Sequence, residues 1–114
     1  MNAIEFALTG ITYGGAAVPI AHLKYAGKAK TYLVDYAYLD QDEFFSDDDP
    51  QDGGAYNTVD IYSNDRDALM GLYPEIKTRL RAADFSIISA GPELHEDDTG
   101  MNHLPINIYN EREA

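Results

Sequence analysis

The chain has no cysteine, which excludes disulfides, thiolate metal sites and a cysteine nucleophile together. It has no tryptophan. Basic residues are scarce: eight Lys and Arg against twenty Asp and Glu, a net charge of -12. A chain this acidic repels phosphate backbones, which argues against nucleic-acid binding. No apolar run approaches the roughly 18 residues needed to cross a bilayer, so no membrane partner is expected. The opening MNAIEFALTGITYGG has neither a basic start nor an apolar stretch leading to a cleavage site, and no secretory leader is predicted.

What remains is ordinary for one packed domain. A chain of 114 residues with 45% hydrophobic content predicts a single unit spanning 1–114. Such a unit buries roughly 65% of its unfolded-chain surface. Nine tyrosines stand out. Each combines an apolar ring with a polar tip, which suits half-buried strands and interfaces. The plain reading of the negative charge is solubility; the sharper readings are attraction to a basic partner and DNA mimicry.

Asn2 to Gly10 predicts a short helix, with Ile4, Leu8 and Ile11 at helical spacing. Gly14 to Ala17 reads as a turn and Val18 to Tyr25 as a strand. Thr31 to Leu39 is the strongest strand signal: Tyr32, Val34, Tyr36 and Tyr38 alternate with Leu33, Asp35, Ala37 and Leu39. Ala55 to Ser63 alternates likewise and predicts the hairpin partner of that strand. Between them, Asp40 to Gly54 holds seven acids, a proline and two glycines, and predicts a mobile loop. Its fifteen residues are long for a connection, and Phe44 and Phe45 in its middle predict an anchor onto the core or onto another chain.

Asn64 predicts a helix cap, followed by an apolar stripe of Leu69, Leu72, Ile76, Leu80 and Ala83. Pro74 predicts a kink or a split near Gly71-Leu72. Ser86 to Ala90 and Leu104 to Tyr109 read as strands joined by the acidic turn GPELHEDDTG, and Pro105 predicts an edge position or a bulge. The order α-β-β-β-α-β-β predicts an α+β fold: a mostly antiparallel sheet of about five strands with two helices packed on one face.

Residues with chemistry do not assemble into a site. The acidic loop fails the calcium-loop pattern. Counting from Asp40, Phe44 and Phe45 occupy positions that need an oxygen ligand and a glycine; from Asp48, Pro50 intrudes. His95, Glu96, Asp97, Asp98 and His103 lack metal-ligand spacing and read as polar turn residues with a strand histidine. His22 reads as structural. No serine has a nucleophile-elbow context, the carboxylates sit in solvated runs, and the paired glycines lack the flanks of a phosphate loop. No catalytic residue, cofactor or metal is therefore expected.

Three segments resemble a group of small tailed-phage and prophage proteins, the tail terminators and head–tail joining (neck) proteins. They are Val18-Pro19-Ile20-Ala21-His22-Leu23-Lys24-Tyr25 with Ala29-Lys30-Thr31-Tyr32; Val59-Asp60-Ile61-Tyr62-Ser63 leading to the helix that ends Leu80-Arg81-Ala82-Ala83-Asp84-Phe85; and Gly91 to Gly100 followed by His103. The resemblance covers most of the chain, and the chain departs from it in the acidic insertion and in Pro74. It implies a virion structural subunit, made in the bacterial host cytoplasm, that assembles with copies of itself into a ring, often a hexamer, at the end of the tail tube. Its partners would be the tail tube and the head connector, and no cofactor is implied. The candidate interface residues are Asp42, Glu43, Phe44, Phe45, Asp47, Asp48 and Asp49 in the loop, and Glu93, His95, Glu96, Asp97 and Asp98 in the later turn. The alternative is an acidic interaction protein, a DNA mimic or phage-encoded inhibitor, that occupies a basic partner. The concentration of carboxylates in one loop counts against mimicry of regularly spaced phosphates.

Overall fold

The computed structural model describes residues 2–37 and 55–110. Among them lie α1 (Ala3–Leu8), β1 (Thr12–Tyr13), β2 (Ala16–Ala17), β3 (Ile20–His22), β4 (Thr31–Ala37), β5 (Ala55–Ser63), α2 (Arg66–Ala82), β6 (Phe85–Ala90), β7 (Leu94–Glu96) and β8 (Met101–Asn110). The acidic segment, with Phe44 and Phe45, lies outside the described residues.

The fold is α+β, as the pattern predicts. The main sheet runs β3-β4-β5-β8-β6, with β7 also pairing β8. That makes six strands rather than five. The additional one is β7, within the stretch read from sequence as a turn. All pairings are antiparallel except β3 with β4. A separate hairpin, β1 and β2, occupies the expected turn region. Its two-residue connection places Gly14 at φ +61° and Gly15 at +82°, the left-handed pair such a hairpin needs.

Residues opposite one another in register share a face of the sheet. On one face, Leu33, Ile61 and Leu104 align, as do Val59 and Ile106. These meet Leu69, Leu72, Ile76 and Leu80 of α2 and Ile4 and Leu8 of α1 in one core. Both helices thus cover the same face, and the predicted α2 stripe is the buried one.

α1 begins where Asn2 caps it. The Asn2 Oδ1 accepts the Glu5 N–H at 2.8 Å, and the Glu5 carboxylate accepts the Asn2 N–H at 3.2 Å. In α2 the cap is Asp65 rather than Asn64: an Asp65 carboxylate oxygen accepts the Asp67 N–H at 3.0 Å. Asn64 instead donates its N–H to the Lys30 carbonyl. Both residues are good cap types, and the helix starts one residue later than the first of them.

Each of two proline expectations offered two outcomes, and the structure excludes one of each: the split at Pro74 and the edge position of Pro105. α2 is not split at Pro74 but runs unbroken from Arg66 to Ala82. Met70, one turn earlier, and Pro74 are both exposed, so the carbonyl that proline leaves without an N–H has access to water. Gly71 instead gives room for the Tyr13 ring, which lies 3.2 Å from where a Cβ would sit. Pro105 is not on an edge strand, since β8 is interior between β5 and the β6/β7 side. Its register partner on β5 is Asp60. On the other side it lies between the stretch of β8 paired with β6 and that paired with β7. There the Pro105 carbonyl accepts the Gly91 N–H at 2.8 Å. The missing N–H falls where the ladder is already interrupted. The strand predicted over Val18 to Tyr25 is limited to Ile20–His22, because Leu23 turns into the left-handed region at φ +70°.

Candidate functional site

The face of the sheet away from the helices carries Tyr32, Tyr36, Tyr56, Tyr62 and Tyr109. Tyr32, Tyr62, His103 and Leu94 occupy one register row across β4, β5, β8 and β7. Their rings stack in sequence: Tyr32 on Tyr62 at 5.0 Å and Tyr62 on His103 at 4.7 Å between centroids. Tyr25, from the β3–β4 connection, extends the row by stacking on Tyr32 at 4.3 Å. A second pair, Tyr56 and Tyr109, lies farther along β5 and β8 at 4.7 Å. No helix packs on this face among the described residues.

Between these aromatic groups the floor is polar and buried. Asp60 is 2% exposed. Its Oδ1 lies 2.9 Å from His103 Nδ1, and its Oδ2 accepts the Tyr36 hydroxyl at 3.2 Å. Each carboxylate oxygen therefore has a partner, which a buried charge requires. The Thr58 hydroxyl donates to the Asn107 amide oxygen at 2.7 Å, and the Asn107 amide donates to Ser89 at 3.0 Å.

Burial pushes the Asp60 carboxyl above its usual range, against the opposing pull of His103. Burial, then the neighbouring Asp60 charge, pushes the Tyr36 phenol to about 12. Tyr62 is raised by burial and then by Asp60 and Glu96; Tyr32 by burial and then by Glu96. All three phenols thus stay protonated at neutral pH and sit in a negative field. None of the six strands of the sheet contains a lysine or arginine.

The candidate residues of the later turn fall just before β7 (Glu93), on β7 (His95, Glu96) and in its connection to β8 (Asp97, Asp98). Glu93 accepts from Arg66 Nε at 2.7 Å, linking this segment to the start of α2. His95 Nδ1 is 2.8 Å from the Asn102 amide oxygen. Glu96 accepts the Thr99 hydroxyl at 3.0 Å and lies 4.0 Å from His103 Nε2. The Asp97 side chain is fully exposed. The structure therefore joins this turn to the aromatic row. Asp42, Glu43, Phe44, Phe45, Asp47, Asp48 and Asp49 lie outside the described residues.

The sequence reading missed Asp60, Tyr36 and the continuity of the row. The available signal was the alternation of Tyr with Asp on two strands expected to pair. What it could not provide was the register of β8, which brings His103 beside Tyr62 and Asp60.

A second polar group sits at the rim of the helix-covered face. Asp35, 1% exposed, is bonded to His22 Nδ1 and to the Asn2 amide at 3.3 Å. Its partners Asn2 and His22 line a cleft of about 260 Å³, together with Ile4 and Phe85 among others. Neither Asp–His pair presents a hydroxyl hydrogen-bonded to the free Nε2, so neither forms a nucleophile–base–orienter set among the described residues. No group of three His, Asp or Glu is placed to hold a metal among those residues.

Comparison with protein-family models, curated proteins and solved structures finds no match.

Proposed function

We propose that this protein is a structural subunit of a tailed-phage or prophage virion, a tail terminator or head–tail joining protein. It acts by joining copies of itself into a ring at the end of the tail tube. The segment resemblance supplies the class. The observation that carries it at the level of structure is the open sheet. Among the described residues, β3 pairs only with β4 at one border, while β6 and β7 pair only with β8 at the other. Two unlike borders, each open among the described residues and on opposite sides of one sheet, suit head-to-tail contact between identical chains, the contact type that closes into rings. The tyrosine-rich face between them is of a composition suited to interfaces.

The test is genetic removal of the chain from a phage that encodes it. The expected result is heads and tails that fail to join, with tail tubes of irregular length in electron micrographs. Normal yields of complete particles would reject the reading.

A further inference from the structure

The aromatic row ends differently at its two borders. At the β3–β4 end, residues 23–30 carry Lys24, Lys28 and Lys30 and no acid, three of the eight basic residues of the chain. All three are exposed, and none pairs with a carboxylate among the described residues. This connection is held in place. The Tyr25 ring stacks on Tyr32, the Tyr25 hydroxyl accepts the Ala29 N–H at 2.9 Å, and a Cβ at Gly27 would collide with that hydroxyl at 2.2 Å. Leu23, beside Lys24, is 67% exposed.

At the β7 end the signs reverse. Residues 93–98 carry four acids and no lysine or arginine. Glu93 is engaged by Arg66, which leaves Glu96, Asp97 and Asp98. This turn is held as well: the Glu96 carbonyl accepts the Gly100 N–H at 2.9 Å and the Thr99 hydroxyl accepts the Met101 N–H at 3.2 Å. Leu94, within it, is 42% exposed. Among the described residues, each border thus offers one exposed leucine: Leu23 beside unpaired lysines, and Leu94 in a turn whose carboxylates, apart from the Arg66-paired Glu93, have no Lys or Arg partner. Leu23 bonds to β4 from the β3 side, its N–H donating to the Asp35 carbonyl, so the two leucines are separated by the four strand spacings from β3 to β7, about 19 Å.

We infer that the partner of each border is the opposite border of a second copy: the Leu23–Lys30 loop of one chain docks on the Leu94–Asp98 turn of the next. The inference rests on the ring reading and names its contact. Two chains each carrying -12 repel overall, so association needs a local arrangement that reverses the sign. Lysine loop against acidic turn provides it, and the two leucines supply apolar area at the same place. The contact is heterologous, because the surfaces differ, and it leaves a free loop and a free turn on every open pair.

The cysteine-free chain permits a direct test. Lys28→Cys and Asp97→Cys chains are mixed under mild oxidation, with Arg81→Cys plus Asp97→Cys as the control pair, since Arg81 is exposed on α2. The 28–97 mixed dimer should form several-fold faster than the control dimer or either homodimer. Raising ionic strength from about 0.01 M to about 1 M, which shortens the screening length from about 30 to about 3 Å, should remove most of that advantage. With reporter cysteines at Lys24 and Asp98, Lys28→Glu alone should suppress cross-linking, and Lys28→Glu with Asp97→Lys should restore it. A 28–97 rate equal to the control, or failure of the double reversal to restore cross-linking, overturns the inference. Cross-linking with normal particles after gene removal would sink the ring reading alone. Absent cross-linking with unjoined heads and tails would sink the contact alone.

Discussion

Asp60 on β5 reaches diagonally to His103 on β8, two residues from its register partner Pro105, with Oδ1 and Nδ1 2.9 Å apart on the tyrosine face. Burial holds the Asp60 carboxyl above its ordinary value of 3.8. A raised acid binds its proton more tightly in the folded state than in the unfolded state. Its contribution is therefore most favourable at low pH and declines as pH rises above 3.8. Asp60→Asn removes this titration. Its stability relative to the wild type should rise between about pH 3.5 and about pH 5.5, below the histidine range. Urea unfolding across that interval reads the difference, and parallel stability curves would contradict it.

Tyr62 lies between two rings, Tyr32 and His103. Tyr62→Ala removes both stacks, at about 0.5–1.5 kcal/mol each, so a loss of about 1–3 kcal/mol is expected. Tyr62→Phe keeps both, and the Tyr62 hydroxyl has no hydrogen-bond partner among the described residues, so its change should stay within about 0.5 kcal/mol. Denaturant midpoints that ranked the two variants the other way would show that the hydroxyl, not the stack, matters.

Asn2 serves two groups with one side chain: its oxygen caps α1 and its amide reaches Asp35. Asn2→Ala should cost about 1–3 kcal/mol through the lost cap and the weakened hold on a buried carboxylate. Asn2→Ser retains a cap oxygen and should recover about half of that loss. Equal losses for the two variants would assign the whole effect to Asp35.

Pro74 occupies an interior position of α2. Pro74→Ala restores one N–H to the helix and should raise stability by about 1 kcal/mol or more, offset in part by the freer unfolded chain. Thermal unfolding measures it. A lower midpoint would mean that the proline fits a bend on which the packing of α2 depends.

Much of the fold was legible because its signals are local and periodic. The stripe from Leu69 to Leu80 and the alternation in β4 and β5 each follow from one element's burial. The edge alternative for Pro105 failed because proline in a strand was weighed without its neighbours: the break between β6 and β7 that accommodates it belongs to another segment. Asn64 misled because Asp65 beside it is a good cap type as well. The turn Glu93 to Asp98 was legible as polar and exposed. Its alignment with Tyr62 and Tyr32 depends on three strand registers, which composition does not encode. The corresponding proposal for Phe44 and Phe45 concerns residues outside those described.

The fit of Gly27 beneath Tyr25 has a consequence for tracing ancestry. A descendant of the same gene that keeps tyrosine at 25 in this pose has to keep glycine at 27, whereas one that loses the ring is free to vary there. The two positions should therefore drift as a unit, and that linked change offers a marker for distant kin whose remaining letters have diverged.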